Sequence, residues 1–259
     1  MAEVKVGVKL SSLGMPFRKA LPMVAEMGVD AVEIDARGEL RPREMSQTGL
    51  RQIRKWLDDH NLKVCAVGFQ TRRGYDVADD LQARIDATKD AMRFAYSLGA
   101  SVVVNHVGAI PDQDAPGWQT LLEALSDLGR TSQMIGAFLA METGSESADQ
   151  MKMLIQELPD YSVTVNFDPG NLIINGFSAT DAIQTLAPYV AHVHAKDAVR
   201  DLAQGRGLEV MLGRGSADFP TILAVLEEAG YRGYFTVERE NAKHPVEEIS
   251  NAVQYLRNV

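Results

Sequence analysis

The sequence predicts an α/β protein built as a single (β/α)8 TIM barrel over residues 1–259, and three observations predict it. First, 259 residues is long for one ordinary domain but usual for one α/β barrel. Second, eight short β-branched runs alternate with eight amphipathic stretches, at an average spacing of about 33 residues, the length of one βα unit. Third, the junctions MGVDAVEI, LGASVVVN and AGYRGYFTV share a pattern: Gly28, Gly99 or Gly230 is placed to end a helix in the left-handed conformation, and a strand follows within a few residues. Strand–helix alternation at that period argues for a parallel sheet, and eight units favour its closure.

The strands follow in order as VKVGVKL (4–10), DAVEIDA (30–36), KVCAVGF (63–69), SVVVNHV (101–107), FLAMETG (138–144), SVTVNFD (162–168), VAHVHAK (190–196) and YFTVERE (234–240). Between them, segments such as FRKALPMVAEMG, GLRQIRKWLDDHN, LQARIDATKDAMRFAYSLG and FPTILAVLEEAG carry apolar residues at three- and four-residue spacing, the helical period. Trp56 and Trp118 are read as helix packing, with a substrate lid the other reading of Trp118. An open doubly wound sheet would place a glycine-rich phosphate turn after the first strand; SSLGMP at 11–16 is not G-x-G-x-x-G. No linker or low-complexity tract divides the chain, so one domain is expected.

Hydrophobic residues make up 46% of the chain and charged residues 24%, enough apolar material for a large core. A net charge of −9 repels polyanions, so nucleic acid and anionic membranes are not expected as partners. The segment MAEVKVGVKLSSLG has no long apolar run and nothing approaches a membrane span, which predicts a cytoplasmic protein. The one cysteine, Cys65 in VCAVGF, excludes an internal disulfide and reads as a small core residue.

In a barrel of this kind the loops after the strands build the active site. Four consecutive strands end in charged or imidazole groups: Glu142 in METG, Asp168 in NFDPGN, His192 and His194 in HVHAKD, and Glu238 and Glu240 in VERE. Three carboxylates facing one another repel unless protons or a cation neutralise them. Three oxygen donors and one nitrogen suit one divalent metal ion, Mn2+ first, with Mg2+, Co2+ or Zn2+ as alternatives. Side chains alternate along a strand, so His192 shares a face with His194 and Glu240 with Glu238; His192 is expected one layer deeper, as a hydrogen-bonded core histidine. Lys196 and Asp197 follow the histidine directly and either bind substrate or pair with each other.

The order Glu142, FDPGN, HVHAKD, VERE resembles the xylose isomerase-like barrel superfamily of sugar isomerases and epimerases, and GRGSADF through LEEAGYRGYFTVE resembles its closing βα unit. The resemblance implies that Glu142, Asp168, His194 and Glu238 hold the metal. It also implies that Glu142 and Glu238 act as the acid/base pair of a sugar or sugar phosphate isomerase or epimerase, through a metal-stabilised enediolate. It makes His106, Asn171, Lys196 and Arg200 substrate-binding candidates. Two positions depart from the ketose 3-epimerases: Asn171 where those enzymes often have histidine, and Ala148 where they have glutamate. The same superfamily offers three rivals: an inosose-type dehydratase, an abasic-site endonuclease, and a non-catalytic sugar-binding barrel. The endonuclease needs several more histidines than the five present, and a less acidic surface. Relatives of this kind imply a homodimer or homotetramer.

Overall fold

The computed structural model describes residues 4–201 and 205–259. Eight parallel strands close into a barrel: β1 (Lys5–Lys9), β2 (Ala31–Asp35), β3 (Lys63–Gly68), β4 (Val102–Asn105), β5 (Phe138–Glu142), β6 (Thr164–Phe167), β7 (Val190–Ala195) and β10 (Tyr234–Val237). Each lies inside the run expected of it, and β10 pairs with β1 to complete the ring, so the open-sheet alternative falls.

The helices are α1 (Phe17–Glu26), α2 (Gln47–Asp59), α3 (Leu81–Ser97), α4 (Pro116–Ile135), α5 (Ala148–Glu157), α6 (Pro169–Ile174), α7 (Ala179–Leu186), α8 (Phe219–Glu228) and α9 (Pro245–Asn258). Local chemistry sets several of their ends. Ser46, Ser178 and Asp218 each accept a backbone N–H of the first turn, and Ser147 with Gln150 forms a reciprocal capping box at α5. Gly28, Gly99 and Gly230 adopt φ of 73°, 82° and 82°, the left-handed stop that the repeated junction predicts.

The outward faces of the strands (Val6, Ile34, Val67, Val103, Leu139, Val165, Val193 and Val237 among them) pack under buried helix residues such as Leu21, Ile53, Met92, Leu125 and Ile222. Each fully buried side chain of this size contributes about 1.5–3 kcal/mol, so this layer holds the barrel shut. Trp118 is buried in the same layer, which removes the lid reading. Cys65 is buried with its Sγ 3.4 Å from Thr236 Oγ1, and burial pushes its thiol up to about 12.

The inward faces differ around the ring. Lys9 pairs with Glu33, Glu142 with Asn166, Asn166 with His192, and Thr236 with His194, so these polar groups share the interior. Across the ring, β3, β4 and β5 turn in Ala66, Val102, Val104 and Ala140, a small apolar cluster of its own.

Two elements were not expected: the short helix α6 ahead of α7, and a two-stranded antiparallel hairpin, β8 (Asp197–Val199) with β9 (Leu208–Val210), between β7 and α8. Three-residue strands carry too little periodicity to read from sequence. The Asp197 carboxylate organises its base by accepting N–H bonds from Ala198, Gly213, Gly215 and Ala217 at 2.8–3.0 Å. Asp197 therefore serves backbone, and does not pair with Lys196. No helix among the described residues is long and apolar enough to cross a membrane.

Candidate metal centre

The segment Asp168-Pro169-Gly170-Asn171 shows how sequence builds the rim. Asp168 follows β6 and caps α6, its Oδ1 accepting the Asn171 N–H at 2.8 Å. Pro169 occupies the first helical position, where a missing N–H costs nothing. Gly170 gives clearance: a Cβ there would lie 2.6 Å from Lys196 Cγ. Asn171 then reaches sideways, and its Nδ2 donates to Glu142 Oε1 at 3.0 Å. Thr143 joins the two strand ends, with Oγ1 donating to the Asp168 carbonyl at 3.0 Å and accepting the Asp168 N–H at 2.8 Å.

His194 stands at the centre. Its Nδ1 lies 2.9 Å from Glu238 Oε2, 3.4 Å from Glu142 Oε1 and 4.0 Å from Asp168 Oδ2. One donor atom from each of Glu142, Asp168, His194 and Glu238 falls within 4.8 Å of every other, and all four residues are buried. The structure thus brings the four expected strand-end groups together. Its other expected neighbours sit around them. His106 Nε2 is 3.4 Å from Glu142 Oε2 on an exposed side chain, and Lys196 Nζ is 3.7 Å from Asp168 Oδ2, 3.6 Å from Glu238 Oε2 and 2.9 Å from Glu240 Oε1. Arg200 is exposed on the hairpin, and its guanidinium donates to the Gly176 carbonyl. His192 is buried one layer down, its Nε2 3.3 Å from Glu33 Oε2, as strand alternation predicts.

Sequence reasoning passed over four groups. Lys9 contacts Glu238 through its ammonium; Gln70 Nε2 donates to Glu142 Oε2 at 3.0 Å; Asn166 Nδ2 lies 3.0 Å from His194 Nδ1; and Glu33 Oε2 lies 2.8 Å from His194 Nε2. A charge in mid-strand within AVEID was the available signal for Glu33.

Burial alone would raise all the carboxyls here. At Glu142 the charges of His194 and His106 outweigh it and hold the group at about 2. At Glu238 His194 and Lys9 do the same, well below the usual carboxylate range. Asp168 goes the other way: burial, reinforced by Glu238 and Glu142 and opposed by Lys196, pushes it up to about 8. His194 is raised well above an ordinary imidazole because Glu33, Glu238 and Glu142 outweigh its own burial.

Asp168 Oδ2 is buried and has no hydrogen-bond partner among the described residues. An orphaned carboxylate oxygen, in a group that burial and like charge force to keep its proton, is what a cation would relieve. Three carboxylates and an imidazole, without thiolate, fit a hard or borderline divalent ion. Beside the cluster, a cavity of about 650 Å³ opens at the mouth, lined by Lys9, Ser11, Arg37, Gln70, Arg72 and Glu238 among others.

Residues 21–259 match the sequence profile of the xylose isomerase-like TIM barrel family, and the chain belongs to that family. Among curated proteins it is similar to the inosose dehydratase of Clostridium beijerinckii, 24% identical over 93% of this chain and 89% of that one. Among solved structures it resembles a xylose isomerase domain protein from Planctomyces limnophilus (TM-score 0.87, 25% identity, 99% and 97% of the two chains). It shares its fold with a D-psicose 3-epimerase determined in the presence of D-fructose (TM-score 0.78, 17% identity, 99% of each chain).

Proposed function

We propose that this protein is a divalent-metal-dependent carbohydrate isomerase or epimerase that moves a proton at a carbon beside a carbonyl. The observation that carries the reading is the pair Glu142 and Glu238, two buried carboxylates on one cluster with different partners. Glu142 is held by the amides of Gln70 and Asn171, and Glu238 by the ammonium groups of Lys9 and Lys196. A bound cation, Mn2+ first with Mg2+, Co2+ or Zn2+ as alternatives, would be held by Glu142, Asp168, His194 and Glu238 and would supply Lewis acidity toward the substrate carbonyl.

The chain's own groups do the rest. One glutamate takes the proton from carbon, giving an enediolate, and the other returns a proton to the opposite face, which inverts the centre. Return to the adjacent carbon instead gives aldose–ketose isomerisation. Gln70 and Asn171 fix the Glu142 carboxylate through both oxygens, so it meets the substrate in one orientation. His106, Asn171, Lys196 and Arg200 are assigned to substrate oxygens. The substrate is a small sugar or sugar phosphate, and the enzyme is cytoplasmic and a homodimer or homotetramer.

A second reading, dehydration, has a specific observation behind it: the curated relative from C. beijerinckii is an inosose dehydratase. Asn171 and Ala148, the departures from the ketose 3-epimerases, weaken that one class of epimerase. The same proton abstraction would then be followed by loss of a neighbouring hydroxyl, which leaves as water with the proton that the glutamate returns to it.

Ketoses, ketose phosphates and inososes incubated with the protein and Mn2+ in D2O separate the readings. Deuterium entering recovered sugar supports isomerase or epimerase; a new conjugated-carbonyl absorbance supports dehydratase. Glu142→Gln and Glu238→Gln should each slow turnover by about 10²- to 10⁴-fold while the fold survives. Full activity in both would refute the acid/base assignment.

A further inference from the structure

We propose that Glu33 is the positioning residue that decides which ring nitrogen of His194 faces the acidic cluster. The inference rests on the metal-site reading above and goes beyond it, because Glu33 is not one of the four residues of that site.

Glu33 lies mid-strand in β2, fully buried, with its side chain turned into the barrel. A buried carboxylate persists only where charged or hydrogen-bonding partners answer it. Those of Glu33 are specific. Oε2 is 2.8 Å from His194 Nε2 and 3.3 Å from His192 Nε2, and Oε1 lies 3.8 Å from Lys9 Nζ. The strands make room for it: a Cβ at Gly68 would lie 3.0 Å from Glu33 Oε1.

An imidazole has two nitrogens, and the hydrogen bond made by one decides what the other offers. With Nε2–H donated to Glu33, the lone pair of a neutral His194 sits on Nδ1, which the Asn166 amide also approaches at 3.0 Å and which faces Glu142, Asp168 and Glu238. The His192 ring packs edge-on against His194, with centroids 5.6 Å apart and planes at 83°, and prevents it from rotating away. Glu33 also shares Lys9 with Glu238, so a single carboxylate supports both the imidazole and one member of the proposed proton-transfer pair.

The test uses the full-length protein with Mn2+ and with Zn2+ as probes. Calorimetric titration of Mn2+ into wild type and Glu33→Gln should show binding about 10- to 100-fold weaker in the variant, the usual cost of removing such an outer partner. Glu33→Asp should recover part of the loss. Long-range 1H–15N correlation of the zinc-loaded wild type should show His194 protonated on Nε2 and bare on Nδ1, and Glu33→Gln should abolish that single pattern. Equal Mn2+ affinity in wild type and Glu33→Gln overturns the proposal while leaving the metal site standing. A wild-type His194 protonated on Nδ1 overturns it without any variant, so misfolding of Glu33→Gln does not shield it. A wild type that binds neither ion overturns the metal site itself, and this inference with it.

Discussion

The two sides of the barrel interior are built on opposite principles. Strands β3 to β5 turn Ala66, Val102, Val104 and Ala140 inward, small apolar groups that pack on one another. The arc from β6 through β7 and β10 to β2 turns in Asn166, His192, His194, Thr236, Lys9 and Glu33, with Asp168 and Glu238 at its rim. The apolar wall adds stability, and its chemistry is confined to the rim, where β5 ends in Glu142. The charged wall costs stability, since its carboxylates are desolvated and Asp168 is forced to keep its proton toward pH 8; with Glu142 arriving from the end of β5, it forms the cluster that could hold a cation.

Substitutions on the two walls should therefore fail in different ways. The largest effect belongs to the charged wall. Glu238→Gln should slow deuterium exchange per folded molecule by about 10²- to 10⁴-fold, the usual share of a positioned acid/base group, and should also lower the melting temperature, because Lys9 loses its carboxylate partner. Val104→Ala on the apolar wall should act on stability alone, losing on the order of 1–3 kcal/mol in urea titrations while exchange per folded molecule stays within about twofold of wild type. Gly7→Ala probes the seam between the walls. A Cβ there would meet Thr236 Oγ1 at 2.7 Å and Cys65 Sγ at 3.1 Å, and such overpacking costs roughly 1–3 kcal/mol.

The smallest effect is a pH trend. The Asp168 carboxyl rises from its ordinary 3.8 to about 8 on folding. Between those values the unfolded chain ionises and the folded one does not, so the folded state loses ground as pH climbs through the window. The raised His194 ring acts in the same direction above its ordinary 6.5. The depressed Glu142 and Glu238 do not offset this, because their stabilisation is already complete above the ordinary carboxylate range. His192, its ring lowered by burial, acts the other way only below its ordinary 6.5, so metal-free protein in a chelator should melt at progressively lower temperature from about pH 6.5 to about pH 8. Mn2+ should reverse the trend, and Asp168→Asn should flatten it. A melting temperature that rises across this range without metal would contradict the arrangement of the charged wall.

Much of this was legible in the chain. Period and β-branching located the eight barrel strands, and charge at a strand's end located Glu142 and Asp168, because both signals are local; choosing His194 over His192 and Glu238 over Glu240 took the resemblance to the family pattern. Glu33 and Lys9 stayed hidden for a different reason. Each sits within a strand, and its meaning depends on which strands become neighbours and on an approach across the closed ring, from β2 to β7 for Glu33 and from β1 to β10 for Lys9. Gln70 is polar at the end of β3, but its role requires Glu142 to arrive from another strand. The β8–β9 hairpin was missed because its pairing is organised by Asp197 and glycine-loop N–H groups, with no hydrophobic pattern to announce it.

The lone cysteine has a practical consequence. With Sγ sealed in the barrel and its proton held to about pH 12, the native chain offers maleimide reagents no thiolate. An Arg72→Cys protein would then take a dye at the cavity rim and nowhere else, a single-site reporter of what enters the mouth. Slow labelling of Cys65 itself would serve as a stopwatch for how often the staves part.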